Sequence, residues 1–412
     1  MDVLLTNNKL TPQHFENELR GNILPFWMQH TLDHENGGFY GAVTNDLRIR
    51  NQVERSAVLC SRILWTFSTA ARLYGDESYL RTARWAFDDI SGRFWDGQYR
   101  GVYWSIDWHG RPFNDRKHTY AQAFSIYGLS DYYRTTGEPK SLALAQQLYE
   151  LIETHTFDPI NGGNIECRAR DWSALADMRL SKKEIISSKS MNTLLHLIEA
   201  YTALVKVWPD ETLSGKLREL VYIFLDHVID PHSAHQHLFF DDQWHSLSEH
   251  ISYGHDIETS WLLVEAAEVL NDPVLLARVH LKSIAMAQVV YDQALGSVGT
   301  ILYEAAPGGH RDEVVPAPVL DQTRHWWAHA EAVVGFTNAY QLSGQEHFAK
   351  AAGQVWDYIQ AHFVDQQNGD WFKLLNPRGV PYLRHYKAGP WECPYHHARM
   401  CYEMIRRAEI IA

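Results

Sequence analysis

The sequence has few cysteines and no long apolar run. Only four cysteines occur among 412 residues, and no two of them form a CxxC pair. Sparse and scattered cysteines are typical of reduced thiols in a cytoplasm rather than of a disulfide framework. No stretch approaches the ~20 apolar residues of a membrane helix, and the first residues lack the basic and apolar regions of an export signal. The sequence therefore predicts a cytoplasmic protein without a membrane partner.

Excess positive charge and several well-known motifs are missing as well. The formal net charge of -13 argues against a nucleic-acid partner or an anionic membrane surface. The chain contains no GxGxxG or Walker loop, no GxSxG elbow and no HExxH pair. His325 and His329 have the spacing of metal ligands but lack an obvious acidic third ligand. We therefore expect no cofactor and no functional metal.

Aromatic residues and histidines are abundant. The chain has 15 Trp, 21 Tyr, 16 Phe and 23 His residues. Most of the large rings are expected in the core, because aromatic side chains dominate protein interiors. An excess of this size also suits a pocket that places indole faces against the C–H faces of a sugar.

A glycine-centred turn followed by a short apolar strand recurs along the chain. Copies lie at 36–43, 97–106, 161–167, 296–304 and 368–375, with a glycine-free variant at 235–242. Between these turns the apolar residues have helical period. The pattern predicts twelve helices, near 12–29, 56–74, 78–94, 118–136, 140–155, 189–207, 212–228, 256–270, 274–290, 325–342, 346–363 and 394–409.

Six helix pairs with short β-hairpin inserts predict an all-α fold, a closed (α/α)6 barrel formed as one domain over residues 1–412. An open helical-repeat scaffold is the alternative, although such scaffolds usually have a shorter and more uniform period. In the closed barrel we expect the odd-numbered helices to line the inside. Small residues such as Ala330, Ala332 and Gly335 would allow close approach between helices.

Four segments combine residues that can carry proton chemistry. They contain His255 with Glu258 and Trp261, Asn192 with His196, Trp327 with Glu331, and Trp391 with His396. A single helix-borne histidine is more often structural than catalytic, but the unperturbed pKa of histidine lies near neutrality, so two imidazoles can act as base and acid. This favours proton abstraction next to a carbonyl. A glycosidase that uses Glu258 and Glu331 remains an alternative.

Six long segments resemble, in the same order, those of the N-acylglucosamine 2-epimerase superfamily, within it the cellobiose 2-epimerase and mannose 2-epimerase branch. They are SRILWTFSTAARLY at 61–74, RKHTYAQAFSIYGLSDYY at 116–133, SMNTLLHLIEAYT at 190–202, YGHDIETSWLLVEA at 253–266, HWWAHAEAVVGFTNAYQ at 325–341 and GPWECPYHHARMC at 389–401. The resemblance covers nearly the whole chain.

The resemblance implies a cofactor-independent isomerase that inverts C2 of a reducing sugar through a cis-enediolate. His255 and His396 resemble the two acid/base residues on opposite faces of C2, and His196 is the third implied catalytic histidine. Glu258 is implied to support His255. The implied substrate contacts are Arg62, Tyr120, Asn192, Glu258, Trp261, Trp327 and Trp391.

Leu194, Cys60, His329 and His397 depart from the cellobiose-epimerase pattern. These departures slightly favour free mannose and glucose over a β-1,4-linked disaccharide such as cellobiose. An aldose–ketose isomerase of the mannose-to-fructose type and a non-catalytic, sugar-binding scaffold remain alternatives. We expect a small-molecule sugar as the partner, and either a monomer or a homodimer.

Overall fold

A computed structural model describes residues 10–181, 184–306 and 319–411. Residues 1–9 belong to the N-terminal stretch that we expect to lack an export signal, and they lie outside the described residues. The described part contains twelve helices at the predicted places. They are α1 (Pro12–Glu18, continuing as the π-helix Leu19–Ile23 and the α-helix Leu24–His30), α2 (Ala57–Tyr74), α3 (Glu77–Gly92), α4 (Thr119–Thr136), α5 (Pro139–His155), α6 (Met191–Val205), α7 (Glu211–Ile223, with the π-helix Phe224–Val228), α8 (Tyr253–Leu270), α9 (Pro273–Ala294), α10 (Trp326–Ser343), α11 (Glu346–Tyr358, with the π-helix Ile359–Phe363) and α12 (Tyr395–Ile411).

The helices form the predicted closed (α/α)6 barrel. Helices α2, α4, α6, α8, α10 and α12 contact one another in that order, and α12 returns to α2 to close the ring. The inner helices are therefore the even-numbered ones, and the expectation that the odd-numbered helices line the inside is wrong. Burial explains the difference: α2 is buried on all faces from Ala57 to Ala71, whereas α3 buries one face only.

Small residues allow the inner helices to approach closely, as the sequence indicated. A Cβ atom added to Gly335 of α10 would lie 2.5 Å from Cγ1 of Ile257 on α8. A Cβ atom on Gly254 of α8 would lie 2.6 Å from the ring of Trp327 on α10. The backbone oxygen of Ile257 lies only 2.8 Å from the Cβ position of Gly335, so a larger side chain there would force α8 and α10 apart. A larger side chain at Gly254 would displace the ring of Trp327.

Short strands join the helix pairs at one end of the barrel. They are β1 (Val43–Thr44), β2 (Arg55–Ser56), β3 (Ser105–Ile106), β4 (Pro112–Asn114), β5 (Lys117–His118), β6 (Cys167–Arg168), β7 (Lys189–Ser190), β8 (Phe239–Phe240), β9 (Ile251–Ser252), β10 (Glu304–Ala306), β11 (Val319–Asp321), β12 (Arg324–His325), β13 (Leu374–Leu375) and β14 (Tyr386–Ala388). Each inner helix follows a strand that pairs antiparallel with the strand after an outer helix, as in β2–β3, β5–β6, β7–β8, β9–β10 and β12–β13. The pair β14–β1 completes the circle. The N-termini of the six inner helices therefore surround one mouth of the barrel.

Buried ion pairs attach these strands to the glycine-centred turns. The pairs join a cation on the strand before an inner helix to an aspartate in a turn: Arg55 to Asp33, Lys117 to Asp96, Lys189 to Asp158 and Lys387 to Asp365. Each aspartate also accepts hydrogen bonds from backbone N–H groups of its own turn. These ion pairs therefore help to fix the positions at which four of the six inner helices, α2, α4, α6 and α12, begin.

One outer helix, α9, differs from the expectation that no stretch approaches the length and apolarity of a membrane helix. Helix α9 has 22 residues and a stretch of mean hydropathy 1.3, which is long and apolar enough for a membrane span by length and composition alone. In the barrel α9 packs against α8 and α10 and buries residues such as Leu275, Val279 and Met286. Its Arg278 pairs with Asp226 in the π-helix that ends α7. Packing against the inner helices therefore accounts for part of its apolar character, while Val274 and Leu281 remain exposed.

Candidate active site

A cavity of about 330 Å³ lies at the mouth formed by the inner-helix N-termini. Nine of the ten predicted site residues line it: Arg62, Tyr120, Asn192, His196, His255, Glu258, Trp327, Trp391 and His396. They come from α2, α4, α6, α8, α10, the loop before α12 and α12 itself. The partial positive charge at helix N-termini makes such a mouth favourable for developing negative charge.

His396, at the second position of α12, is held by a carboxylate from α10. Its Nδ1 atom lies 2.7 Å from Oε1 of Glu331 and 3.8 Å from Oε1 of Glu258. Burial, together with the cations Arg62 and Arg399, lowers the pKa of His396 well below its usual range. Since Nδ1 is engaged, Nε2 is the nitrogen left to act in the cavity.

His255, at the third position of α8, has a neutral partner. Its Nδ1 atom lies 2.7 Å from the hydroxyl oxygen of Ser252. Burial, with a smaller contribution from His196, lowers the pKa of His255 to about 3. The ring of Trp327 contacts both proposed acid/base imidazoles, with centroids 4.8 Å from His255 and 5.4 Å from His396. Both histidines therefore face one aromatic wall of the same cavity.

His196, on α6, is also paired with a carboxylate. Its Nδ1 atom lies 3.0 Å from Oε2 of Glu199, one turn further along the same helix. The ring of Tyr120 packs edge-on at 5.1 Å from the imidazole. Arg399, His196 and Tyr395 outweigh the effect of burial and lower the pKa of Glu199 to about 2. An ionised Glu199 orients the imidazole toward the cavity.

Arg62, on α2, brings a buried guanidinium to the cavity. It donates from Nη2 to the hydroxyl of Tyr120 at 2.9 Å and from Nη1 to Sγ of Cys393 at 3.5 Å. The guanidinium also lies over the rings of Phe124 and Tyr395, at 4.2 and 4.8 Å. Because Tyr120 accepts from Arg62, its own O–H is available to donate to a ligand.

Arg399 connects the carboxylates behind two of the histidines. It donates to Oε1 of Glu199 and of Glu258, each at 2.5 Å, and to Oε1 of Glu331 at 2.7 Å. Burial and the neighbouring Glu331 raise the pKa of Glu258 to about 7, and burial also raises the pKa of Glu331. The guanidinium therefore neutralises part of a buried cluster of acids.

The same cluster contains the group of possible metal ligands found in the described part of the chain. Atoms of Glu258, Glu331 and His396 lie within 4.8 Å of one another. Arg399, however, already contacts both carboxylates as their cationic partner. His329, one of the two histidines with ligand spacing, accepts from the backbone N–H of Ile301 at 3.0 Å through Nε2 and contacts the carbonyl of His325 through Nδ1. His329 therefore has a structural role.

Two expectations about individual residues differ from the structure. Trp261 does not line the cavity but donates from its indole nitrogen to Oε2 of Glu331 at 3.0 Å, so it supports the partner of His396. Glu258 contacts Arg399 and His396, whereas the Nδ1 atom of His255 contacts Ser252. Along α8 the i, i+3 spacing brings residues to one face, but it does not fix which side chains meet.

Several residues of this site were not predicted from the sequence. Glu199 and Arg399 each lie three positions after a predicted histidine, and this spacing is the signal that could have identified them. Ser252 gave a weaker signal as an N-cap type before α8. The other cavity-lining residues not predicted as site residues are Tyr303, His325, Trp326, Lys373, Leu374, His385 and Glu392.

Comparison with known proteins gives consistent matches over nearly the whole chain. Residues 22–400 match the model of the family described as N-acylglucosamine 2-epimerase (GlcNAc 2-epimerase). The chain is 40% identical to a cellobiose 2-epimerase of Bacteroides fragilis, over 97% of this chain and 99% of that protein. The solved structure of cellobiose 2-epimerase from Bacillus thermoamylovorans B4167 is 38% identical, with a TM-score of 0.89 over 96% of this chain and 99% of that one. A D-mannose isomerase structure, 19% identical with a TM-score of 0.81 over 97% and 98% of the two chains, has the same fold.

Proposed function

The chain belongs to the N-acylglucosamine 2-epimerase family, and on this premise we propose that it is a sugar 2-epimerase, an isomerase that interconverts glucose- and mannose-configured reducing sugars at C2. The observation that carries the proposal is the pair of imidazoles, His255 and His396, on one cavity and against one indole, that of Trp327. Inversion at a carbon needs a base on one face and an acid on the other. Two histidines with Nδ1 engaged and Nε2 left free are suited to both roles.

The proposed reaction begins with the open-chain aldehyde. One imidazole takes the C2 proton with its Nε2 lone pair, and the electrons of the C2–H bond form the C1–C2 double bond of an enediolate while the carbonyl oxygen becomes negatively charged. The other histidine, which enters the cycle with a proton on Nε2 as well as on Nδ1, then donates the Nε2 proton to the opposite face of C2, and the carbonyl reforms. No other reactant is consumed, so the reaction runs in either direction.

The charge that develops on the carbonyl oxygen has partners in the cavity wall. Arg62 carries a guanidinium whose pKa lies above its usual value, so it stays charged, and the O–H of Tyr120 is free to donate. The helix N-termini around the mouth add partial positive charge. Preorganised donors of this kind act where charge appears in the transition state, which is the basis of oxyanion stabilisation.

His196, whose ring contacts Tyr120, and Asn192 line the cavity and are proposed to bind the hydroxyl groups of the sugar. Trp327 is proposed to pack on the reacting sugar. Trp391 lies further out on the loop before α12 and is 39% exposed, so it presents an aromatic surface at the mouth. A second sugar unit linked to the reacting one would meet this surface.

We propose cellobiose as the first substrate to test, ahead of free mannose and glucose. The relatives that are 35–40% identical over nearly the whole chain are named cellobiose 2-epimerases, and the exposed Trp391 suits a disaccharide. This reverses the slight preference that the four departures, such as Leu194, gave to free monosaccharides. Leu194 is fully buried and lies outside the cavity lining, so it does not select a substrate by contact.

The test is an NMR panel of cellobiose, lactose, mannose, glucose and N-acetylglucosamine in heavy water. The proposal predicts deuterium at C2 of both epimers and formation of the C2 epimer as the first product. A ketose as first product would instead identify an aldose–ketose isomerase, since that enzyme returns the proton to C1. Release of monosaccharide from cellobiose would identify a glycosidase. Binding without any exchange would leave only a sugar-binding protein.

A further inference from the structure

Three serines occupy equivalent positions in the barrel. Each of them is the last residue of a strand and occupies the N-cap position of the inner helix that follows: Ser56 before α2, Ser190 before α6 and Ser252 before α8. The Ser56 hydroxyl accepts from the backbone N–H of Leu59 at 3.4 Å, and that of Ser190 accepts from Thr193 at 3.2 Å. In both cases the donor is the third residue of the helix, which is the usual partner of a serine cap.

Ser252 makes a different contact. Its side chain does not cap α8, and its hydroxyl oxygen lies 2.7 Å from Nδ1 of the imidazole at the third helical position, His255. A serine cap normally stabilises a helix N-terminus, so α8 lacks a contribution that α2 and α6 have. Ser252 is only 1% exposed, so bulk water does not replace its hydroxyl.

We propose that Ser252 is a positioning residue for catalysis. Its hydroxyl oxygen accepts a hydrogen bond from Nδ1–H of His255, and this presents the Nε2 lone pair of the imidazole to the sugar. The inference rests on the proposed epimerase function. It assigns to Ser252 the task that carboxylates perform for the other two histidines, Glu331 for His396 and Glu199 for His196.

The chemical reason is the tautomer of the imidazole. A neutral imidazole carries one proton, and only the nitrogen without it accepts a proton from C2. With Nδ1–H donated to Ser252, Nε2 of His255 is the accepting atom, and after the transfer the ring is an imidazolium that still donates from Nδ1. A hydroxyl orients the ring without adding a negative charge. His255 therefore holds the proton that it takes from C2 less strongly than an imidazole beside a carboxylate would.

The kinetic test compares Ser252→Ala with Ser252→Thr in the full-length protein, using the substrate identified by the NMR panel. We expect Ser252→Ala to lower kcat by about 10-fold or more with KM changed less than about twofold, because the ring loses its orienting partner. The isotope effect for substrate deuterated at C2 should rise, because proton transfer becomes more rate-limiting. Ser252→Thr keeps the hydroxyl and should recover most of kcat.

Ser56→Ala is the matched control, because it removes a serine N-cap that contacts no histidine. It should lower the melting temperature without changing the isotope effect. Unchanged kcat and isotope effect in folded Ser252→Ala would overturn the proposal, because a structural serine would behave in this way.

A second measurement does not depend on whether the serine variants fold. In wild-type protein labelled with ¹⁵N-histidine, the imidazole signals that disappear in His255→Asn should report the Nδ1–H tautomer. An Nε2–H tautomer would overturn the assignment of Ser252. Absence of C2 exchange in the wild-type protein would count against the proposed function instead, and the two failures are therefore distinguishable.

Discussion

The Nδ1 atom of His396 lies 2.7 Å from Oε1 of Glu331, and the two residues come from different helices of the inner ring. Glu331 also accepts from Arg399 at 2.7 Å and from the indole of Trp261 at 3.0 Å. Two donors therefore hold the carboxylate of Glu331 in place, and the carboxylate in turn orients the imidazole. The basicity and the orientation of the His396 imidazole therefore depend on residues from three helices, α8, α10 and α12.

Replacement of Glu331 by glutamine should impair catalysis more than binding. The amide keeps the size of the side chain but carries no charge, so it neither favours the imidazolium of His396 nor holds Arg399 as firmly. We expect kcat to fall by about 10²-fold with a small change in KM. Steady-state kinetics on Glu331→Gln, with the exposed Glu268→Gln on α8 as control, measure this. A kcat within threefold of wild type would show that the pair does not act in the reaction.

Removal of either proposed acid/base imidazole should stop turnover while substrate still binds. For His255→Ala and His396→Ala we expect a loss of about 10²- to 10⁴-fold in kcat, the range for one acid/base group. Calorimetric titration should give a dissociation constant close to that of wild type. The exposed His245→Ala is the control. Near-normal activity of His396→Ala would mean that another group returns the proton.

Trp391 should contribute to the binding of a disaccharide more than of a monosaccharide. The ring is partly exposed at the mouth and lies 6.0 Å from both Trp104 and Tyr120. Loss of one aromatic contact in Trp391→Ala should raise KM for cellobiose about tenfold, equivalent to about 1.4 kcal/mol. Trp391→Phe should retain most of the affinity. An equal rise in KM for mannose would place the ring against the reacting sugar itself.

Two buried carboxylates should affect stability with opposite dependence on pH. Burial raises the pKa of Glu258 from 4.5 to about 7, so the free energy of unfolding contains a contribution that is present below pH 4.5 and lost as the pH rises through 7. Arg399 and His196 lower the pKa of Glu199 to about 2, so its contribution is present above pH 4.5 and lost as the pH falls toward 2.

Urea denaturation between pH 3 and pH 8 tests both signs. Glu258→Gln should flatten the decline in stability between about pH 4.5 and 7, which is of the order of 3 kcal/mol for a shift of this size. Glu199→Gln should flatten the decline on the acid side. If Glu258→Gln leaves the neutral part of the curve unchanged, the carboxyl of Glu258 is ionised throughout that range.

The ion pair of Lys117 with Asp96 should be important for folding. Both side chains are completely buried, and Nζ of Lys117 lies 3.1 Å from Oδ2 of Asp96, which also pairs with Arg170. Lys117→Met leaves a buried carboxylate with one cation fewer, and we expect it to lower the free energy of unfolding by about 3 kcal/mol. The exposed Lys140→Met is the control. A loss below about 0.5 kcal/mol would show that Arg170 alone satisfies the aspartate.

Helix positions were predictable because their signals are local. The apolar period of 3.6 residues and the recurring turns gave twelve helices, and glycines such as Gly101 and Gly299, with φ near 70° and 82°, mark turns that strongly favour glycine. The inside and outside of the barrel were assigned wrongly because periodicity reports an apolar face but not which partner covers it. The even-numbered helices could have been recognised from apolar residues on all faces, as in α2.

The sequence by itself determined the helices, their pairing, the family and the types of residue that line the cavity, because these depend on neighbours along the chain and on long motifs. Only the tertiary structure decided which group orients each imidazole. Glu331 reaches His396 from 65 positions earlier, while Ser252 takes the place beside His255 that the i, i+3 pattern had suggested for Glu258. The physical reason is that hydrogen bonds and burial are fixed by helix packing across the ring, and spacing within one helix carries no information about the opposite wall.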